Sequence, residues 1–170
     1  VKAKFGYDLK VATDYESQGV NRLPLVESQP NFRNVSKSLE QRLSQLGVDT
    51  RVGNDETFAV YEARISALKK SIGADPTTKQ ILDNVEQAAQ AAGDTLSYLG
   101  IDYTYGPVVD LIPDELVNSP IFKDRTISGN PLLLCLVAER WVKGIQSKGV
   151  NCVLKHAPGF GGAFSDPHLG

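Results

Sequence analysis

Gly149–Gly170 reads GVNCVLKHAPGFGGAFSDPHLG. A glycine stop precedes a short apolar run, Val150 to Leu154, and Lys155 and His156 arrive where the apolar pattern ends. A run of this length reads as a buried strand, and polar residues at its C-terminal end are delivered to a rim. Pro158, Gly159, Gly161 and Gly162 then impose a tight, non-repetitive loop that closes on Asp166, Pro167 and His168. A carboxylate two residues from an imidazole can orient the ring and raise its pKa, giving a usable general acid near neutral pH.

Two other stretches repeat the arrangement. Leu9 to Thr13 is apolar-rich and hands over to Asp14, Tyr15 and Glu16, while Ile101–Tyr105 and Val108–Ile112 form a second apolar stretch that carries Asp110. Between them, Pro24 to Asn34 reads as a loop, and three helical stripes follow. Leu39, Leu43 and Leu46 stop at Gly47, and Phe58, Tyr61, Ile65, Leu68 and Ile72 stop at Gly73. Asp75 caps a third helix, opened by Pro76, with Ile81, Val85, Ala88, Ala92, Leu96 and Leu99 along one face up to Gly100. Asn130 and Pro131 make a helix start, and that helix carries Leu133, Leu136, Val137, Trp141 and Ile145 to Gly149, with Trp141 placed as a core anchor. The order strand, helices, strand, helix, strand, with polar residues at each strand end, predicts an α/β chain with the logic of a (β/α) barrel.

The chain-terminal segment resembles the Lys-His-Phe-Pro-Gly-His-Gly signature, followed by Asp-Ser-His, of glycoside hydrolase family 3 in its β-N-acetylhexosaminidase branch. Lys155, His156, Pro158, Gly159, Gly161, Asp166 and His168 match, whereas Ala157, Phe160 and Pro167 replace Phe, His and Ser. Asp14 to Leu23, DYESQGVNRL, resembles the family's Asp-x-Glu-Gly-Gly-x-Val-x-Arg-Leu, with Ser17 and Gln18 in place of the glycine pair. Pro107, Val108 and Asp110 resemble Ala-Pro-Val-x-Asp with Gly106 at the Ala position, and Lys123 to Pro131 resembles Gly-Glu-Arg-Ser-Phe-x-x-Asp-Pro through Asp124, Arg125, Thr126 and Pro131.

The resemblance implies about three strands, the third to the fifth, of an eight-stranded TIM-type barrel, with an Asp nucleophile expected on a later strand beyond Gly170. It implies a retaining glycosidase acting on a β-linked N-acetylglucosaminide or related saccharide, with His168 as acid/base and Asp166 as its orienter. Asp14, Arg22, Arg125, Lys155 and His156 would bind the sugar, with no cofactor and no metal. For Asp110 two readings stand side by side, a sugar contact and a structural acid accepting backbone hydrogen bonds. Against the family, the segment between the first two strands looks long, so a helical insertion over 35–75 is expected within a single domain spanning 1–170, with Asp49 to Glu56 as its inserted turn.

Composition sets the remaining bounds. A chain of 170 residues with 41% hydrophobic content can bury one sizeable core. A net charge of −2 with mixed acids and bases offers no basic stripe for nucleic acid and no polybasic membrane patch, and no apolar run is long enough to span a bilayer. Cys135 and Cys152 read as small buried apolar residues. No Met occurs, so Val1 is not expected to be a translation start. Two open sheet edges would invite association. The competing reading is a truncated or degenerate, non-catalytic sugar-binding or structural remnant, which the Phe160 and Ser17–Gln18 departures favour. A phosphate cradle at Pro158–Gly162 lacks a helix behind it, and a metal site at His156, His168, Asp14 and Asp166 lacks ligand spacing.

Overall fold

The computed structural model describes residues 9–16, 23, 30–53, 55–112, 125–157 and 159. Their order is β1 (Ala12–Asp14), α1 (Phe32–Gln45), α2 (Phe58–Ala74), α3 (Pro76–Tyr98), β2 (Tyr103–Val108), α4 (Pro131–Gln146) and β3 (Asn151–Lys155). Among the described residues the strands form one parallel sheet in the order β1-β2-β3, the three-stranded arrangement with flanking helices that was expected. Each crossover between parallel neighbours passes through helix, as parallel pairing requires.

Register assigns the faces. Asp14 pairs with Tyr105, and Tyr105 with Val153, so these three lie side by side, and the period of two puts Glu16 and Lys155 on the same face. Tyr15 points the other way, into the core, where it is buried and stacks on Trp141 at 6.2 Å, while Phe32 meets Trp141 edge-on at 4.9 Å. Trp141 is thus the core anchor its position suggested. Leu39, Leu43, Leu68, Ile72, Leu82, Val85, Leu96, Leu133, Val137 and Ile145 complete this core, with α4 packed on β2 and β3 and against α1, α2 and α3. Between Tyr105 and Val108 the register slips by one residue, at the Gly106–Pro107 pair, so β2 reaches the rim with an irregular end.

Several boundaries differ from expectation. The first strand is Ala12–Asp14 rather than Leu9–Thr13, and Leu9 is exposed. The Pro24–Asn34 loop ends early, because the Asn31 side chain accepts from the Asn34 N–H and opens α1 at Phe32. Gly73 does not stop the second helix, which runs to Ala74, where Asp75 leaves the helix and caps the next one through the Thr78 N–H. Leu46 and Leu99 fall at C-caps and Phe58 at a first turn, and all three are exposed. In α3 the buried stripe passes through Leu82 and Ala89, leaving Ile81 and Ala88 half-buried. Both cysteines are free and only partly buried, although burial still pushes the Cys152 thiol up to about 12.

Candidate active site

The C-terminal ends of the three strands bring the chemistry together. Asp14 closes β1, Lys155 closes β3, and Asp110 follows β2 by two residues. Arg125 comes from the segment whose next residue, Thr126, bridges in parallel to Val108. Parallel strands place all these positions at one edge, which is where barrel chemistry is housed.

Two linked clusters occupy that edge. In the first, Lys155 Nζ donates to Asp14 Oδ1 at 2.8 Å and reaches Glu16 Oε1 as well. Glu16 in turn accepts a two-pronged contact from Arg125, Nε to Oε2 at 2.7 Å and the Nη2 group to Oε1 at 3.1 Å. Glu16 is only 2% exposed, yet it keeps full charge compensation from two cations, the condition under which a buried carboxylate is tolerated. In the second cluster, His156 Nδ1 lies 2.7 Å from Asp110 Oδ2, which also accepts the His156 backbone N–H at 3.3 Å. The Asp110 side chain is fully buried and that of His156 partly exposed, so the carboxylate fixes an imidazole at the rim. Asp110 therefore does accept a backbone hydrogen bond, the structural half of its two readings, and adds a ring contact to it.

Below the rim, Arg33 is buried and donates to Thr126 Oγ1 at 3.0 Å and to the Ile112 carbonyl at 3.1 Å, pinning β2's exit to the Arg125 segment. A separate cavity of about 360 Å³ beside α1, lined by Arg33, Ser36, Glu40 and Asn130, includes none of the rim residues. Among the described residues no group of three or more His, Cys, Asp or Glu could hold a metal ion, and no helix is long and apolar enough to cross a membrane.

Of the residues singled out from sequence, the structure brings together Asp14, Arg125, Lys155 and His156. Arg22, Asp166 and His168 lie outside the described residues. Sequence reasoning missed Glu16 as part of the site. The signal was present in the period of two after Asp14, which puts residue 16 on the face of residue 14, but nothing local shows that two distant cations converge on it.

A family model described as "Glycosyl hydrolase family 3 N terminal domain" matches residues 39–170. Beta-hexosaminidase LpqI of Mycobacterium tuberculosis is 31% identical over 115 residues, covering 63% of this chain and 29% of that protein. Beta-hexosaminidase A of Pseudoalteromonas piscicida is 34% identical over 84 residues, 49% of this chain and 14% of that protein. The chain therefore spans less than a third of either relative. Among solved structures, a glycosyl hydrolase of the GH3 family from Mycobacterium smegmatis superposes with a TM-score of 0.62 at 26% identity, covering 94% of this chain and 37% of that one. NagZ from Neisseria gonorrhoeae, solved with N-trifluoroacetyl-D-glucosamine, gives a TM-score of 0.61 at 23% identity over 95% of this chain and 37% of that one, a likeness of fold.

Proposed function

This chain belongs to glycoside hydrolase family 3, and on that premise we propose that it supplies the sugar-binding rim and the acid/base loop of a β-hexosaminidase-like glycosidase acting on β-linked N-acetylglucosaminides. The observation that carries the reading is the convergence of Asp14, Arg125, Lys155 and His156, from two strand ends and one connecting segment, on a single edge of the sheet. The beta-hexosaminidase names of the relatives support the same substrate class.

The rim suits a sugar on chemical grounds. A carboxylate and an ammonium held 2.8 Å apart, Asp14 and Lys155, present an acceptor beside a donor, the pairing that adjacent hydroxyls need. Catalysis then follows the retaining scheme. A carboxylate bonds to the anomeric carbon as the glycosidic C–O bond breaks, and the protonated His168, oriented by Asp166, gives its proton to the departing oxygen. The neutral imidazole next takes a proton from water, whose oxygen attacks the anomeric carbon and frees the carboxylate. Within the described rim, Asp14, Glu16 and Asp110 are each engaged with a cation or with His156. We assign the nucleophile to none of these three but to a later strand, as the family pattern implies, and on that reading the 170 residues by themselves are expected to bind N-acetylglucosamine weakly and to turn over nothing measurable.

Leaving groups provide the test. In an active form of the protein, His168→Ala should cost about 10²- to 10⁴-fold in turnover of an alkyl β-N-acetylglucosaminide, the usual worth of a general acid. The loss should be smaller for a nitrophenyl glycoside, whose departing oxygen needs little protonation. Equal losses would make His168 a substrate-positioning residue. Robust hydrolysis by the 170 residues alone would mean that the nucleophile has been misplaced, and saccharide binding without turnover in every form would favour the non-catalytic remnant.

A further inference from the structure

We propose that Glu16 is the positioning residue of this rim, holding Lys155 and Arg125 in the directions from which they donate to the sugar; the inference rests on reading the rim as a saccharide site. Three observations converge. Glu16 is the one carboxylate that contacts both cations among the described residues, through Oε1 to Lys155 and through both oxygens to Arg125. A two-pronged guanidinium–carboxylate contact is planar and fixes the direction of the whole guanidinium, not merely its distance. The cations themselves keep some solvent access, 17% for the Lys155 side chain and 25% for Arg125. Without Glu16, Lys155 would keep Asp14 but lose the second carboxylate that fixes its direction, and Arg125 would lose its two-pronged contact, so Glu16 supplies their orientation rather than their presence.

The position of Glu16 is itself built in. Tyr15, immediately before it, is locked by its ring against Trp141 and by its carbonyl, which accepts from Thr104 Oγ1 at 3.4 Å. Across from this backbone stands Gly106, where an added Cβ would lie 2.5 Å from the Tyr15 carbonyl oxygen and 3.5 Å from Glu16 Cα. A side chain at 106 would therefore displace the Tyr15–Glu16 backbone, and its absence lets Glu16 settle low in the rim. Two of the three donors of Lys155 are taken by Asp14 and Glu16, which aims the third along one remaining direction.

The test is binding of N-acetylglucosamine to the 170-residue chain, followed by ligand-detected NMR, with circular dichroism and thermal melting alongside. Glu16→Gln keeps the shape and removes the charge, and should weaken binding about 10- to 100-fold, the effect of misdirecting charge-assisted donors. Glu16→Asp keeps the charge but is too short to span both cations, so a smaller loss is expected, and this variant carries the test if the Gln variant does not fold. A purely structural role is separated by coupling. If Glu16 acts through the cations, adding Glu16→Gln to Lys155→Gln/Arg125→Gln should change affinity by less than about twofold, whereas a structural role would lower it by the full single-variant factor again. Unchanged binding in a folded Glu16 variant, or full additivity, overturns the proposal. Failure of the unaltered chain to bind the sugar would instead overturn the reading of the rim beneath it.

Discussion

Asp75 serves two helices at once. It closes α2, caps α3 through the Thr78 N–H at 2.9 Å, and accepts Arg42 from α1 at 2.7 and 3.1 Å. The Arg42 hydrogen bonds, followed by that of the Thr78 N–H, hold its carboxyl well below the usual carboxylate range. A folded-state pKa below the unfolded one means that the ionised carboxylate stabilises the fold above the ordinary carboxylate pKa, and that this contribution fades as pH falls through that range toward the folded value. Asp75→Asn should therefore melt at a lower temperature than the unaltered chain at neutral pH, with the gap narrowing progressively in acid. Because Arg42 remains a third exposed, salt should narrow the gap too. A gap of constant size across the titration would assign the loss to the cap geometry rather than to charge. The same residue shows what a sequence can and cannot disclose. Asp75-Pro76 reads as a helix start because both preferences are local, whereas the Arg42 contact joins residues 33 positions apart and leaves no local trace.

At the scale of elements, the helices were readable because their apolar spacing is regular, and the exceptions have physical causes. The stripe of α3 holds at Val85, Ala92 and Leu96 but passes through Leu82 and Ala89 rather than Ile81 and Ala88, because the face is chosen by what packs on it, here chiefly α4. At Gly144 of α4, an added Cβ would lie 2.5 Å from Ala89 Cβ and 2.6 Å from the Glu86 carbonyl oxygen. Helix propensity alone says that Gly144→Ala should stabilise by about 1 kcal/mol. Packing opposes it, since the Glu86 oxygen belongs to the α3 backbone and cannot rotate away, and overpacking of this kind costs about 1–3 kcal/mol. Gly144→Ala is accordingly expected to lower the melting temperature by a few degrees, with partial recovery when Ala89→Gly removes the facing methyl. A rise in melting temperature would mean that the helices separate more easily than this contact implies. The strands were less legible than the helices. Each of the three is short, and the slip at Gly106–Pro107 follows from pairing with β3, which no periodicity reveals.

For the whole molecule, the candidate site was legible in outline through motifs spread over the chain, since Asp14, Arg125, Lys155 and His156 do assemble at one rim, while the central place of Glu16 emerged only from three-dimensional pairing. The same sheet that assembles the rim carries a further consequence. Among the described residues β1 and β3 are edges, and β3 shows both faces to solvent, with Val153 39% and Leu154 47% exposed. Tyr105 and Leu111 on and beyond β2 add to this apolar surface. Native edge strands are normally guarded by charge, proline or a cover, and along Cys152, Val153 and Leu154 none of these side chains is charged. The chain in isolation should therefore bind an apolar fluorescent dye in its folded state and self-associate as concentration rises. Leu154→Lys places a charge on that edge without touching Lys155, and should reduce both dye uptake and association while leaving the circular dichroism spectrum unchanged. Sedimentation across a hundredfold range of concentration is the deciding measurement. A monomer throughout, with no dye uptake and a cooperative melt, would show that β3 is covered in solution and that its exposed leucine and valine have a partner within the chain.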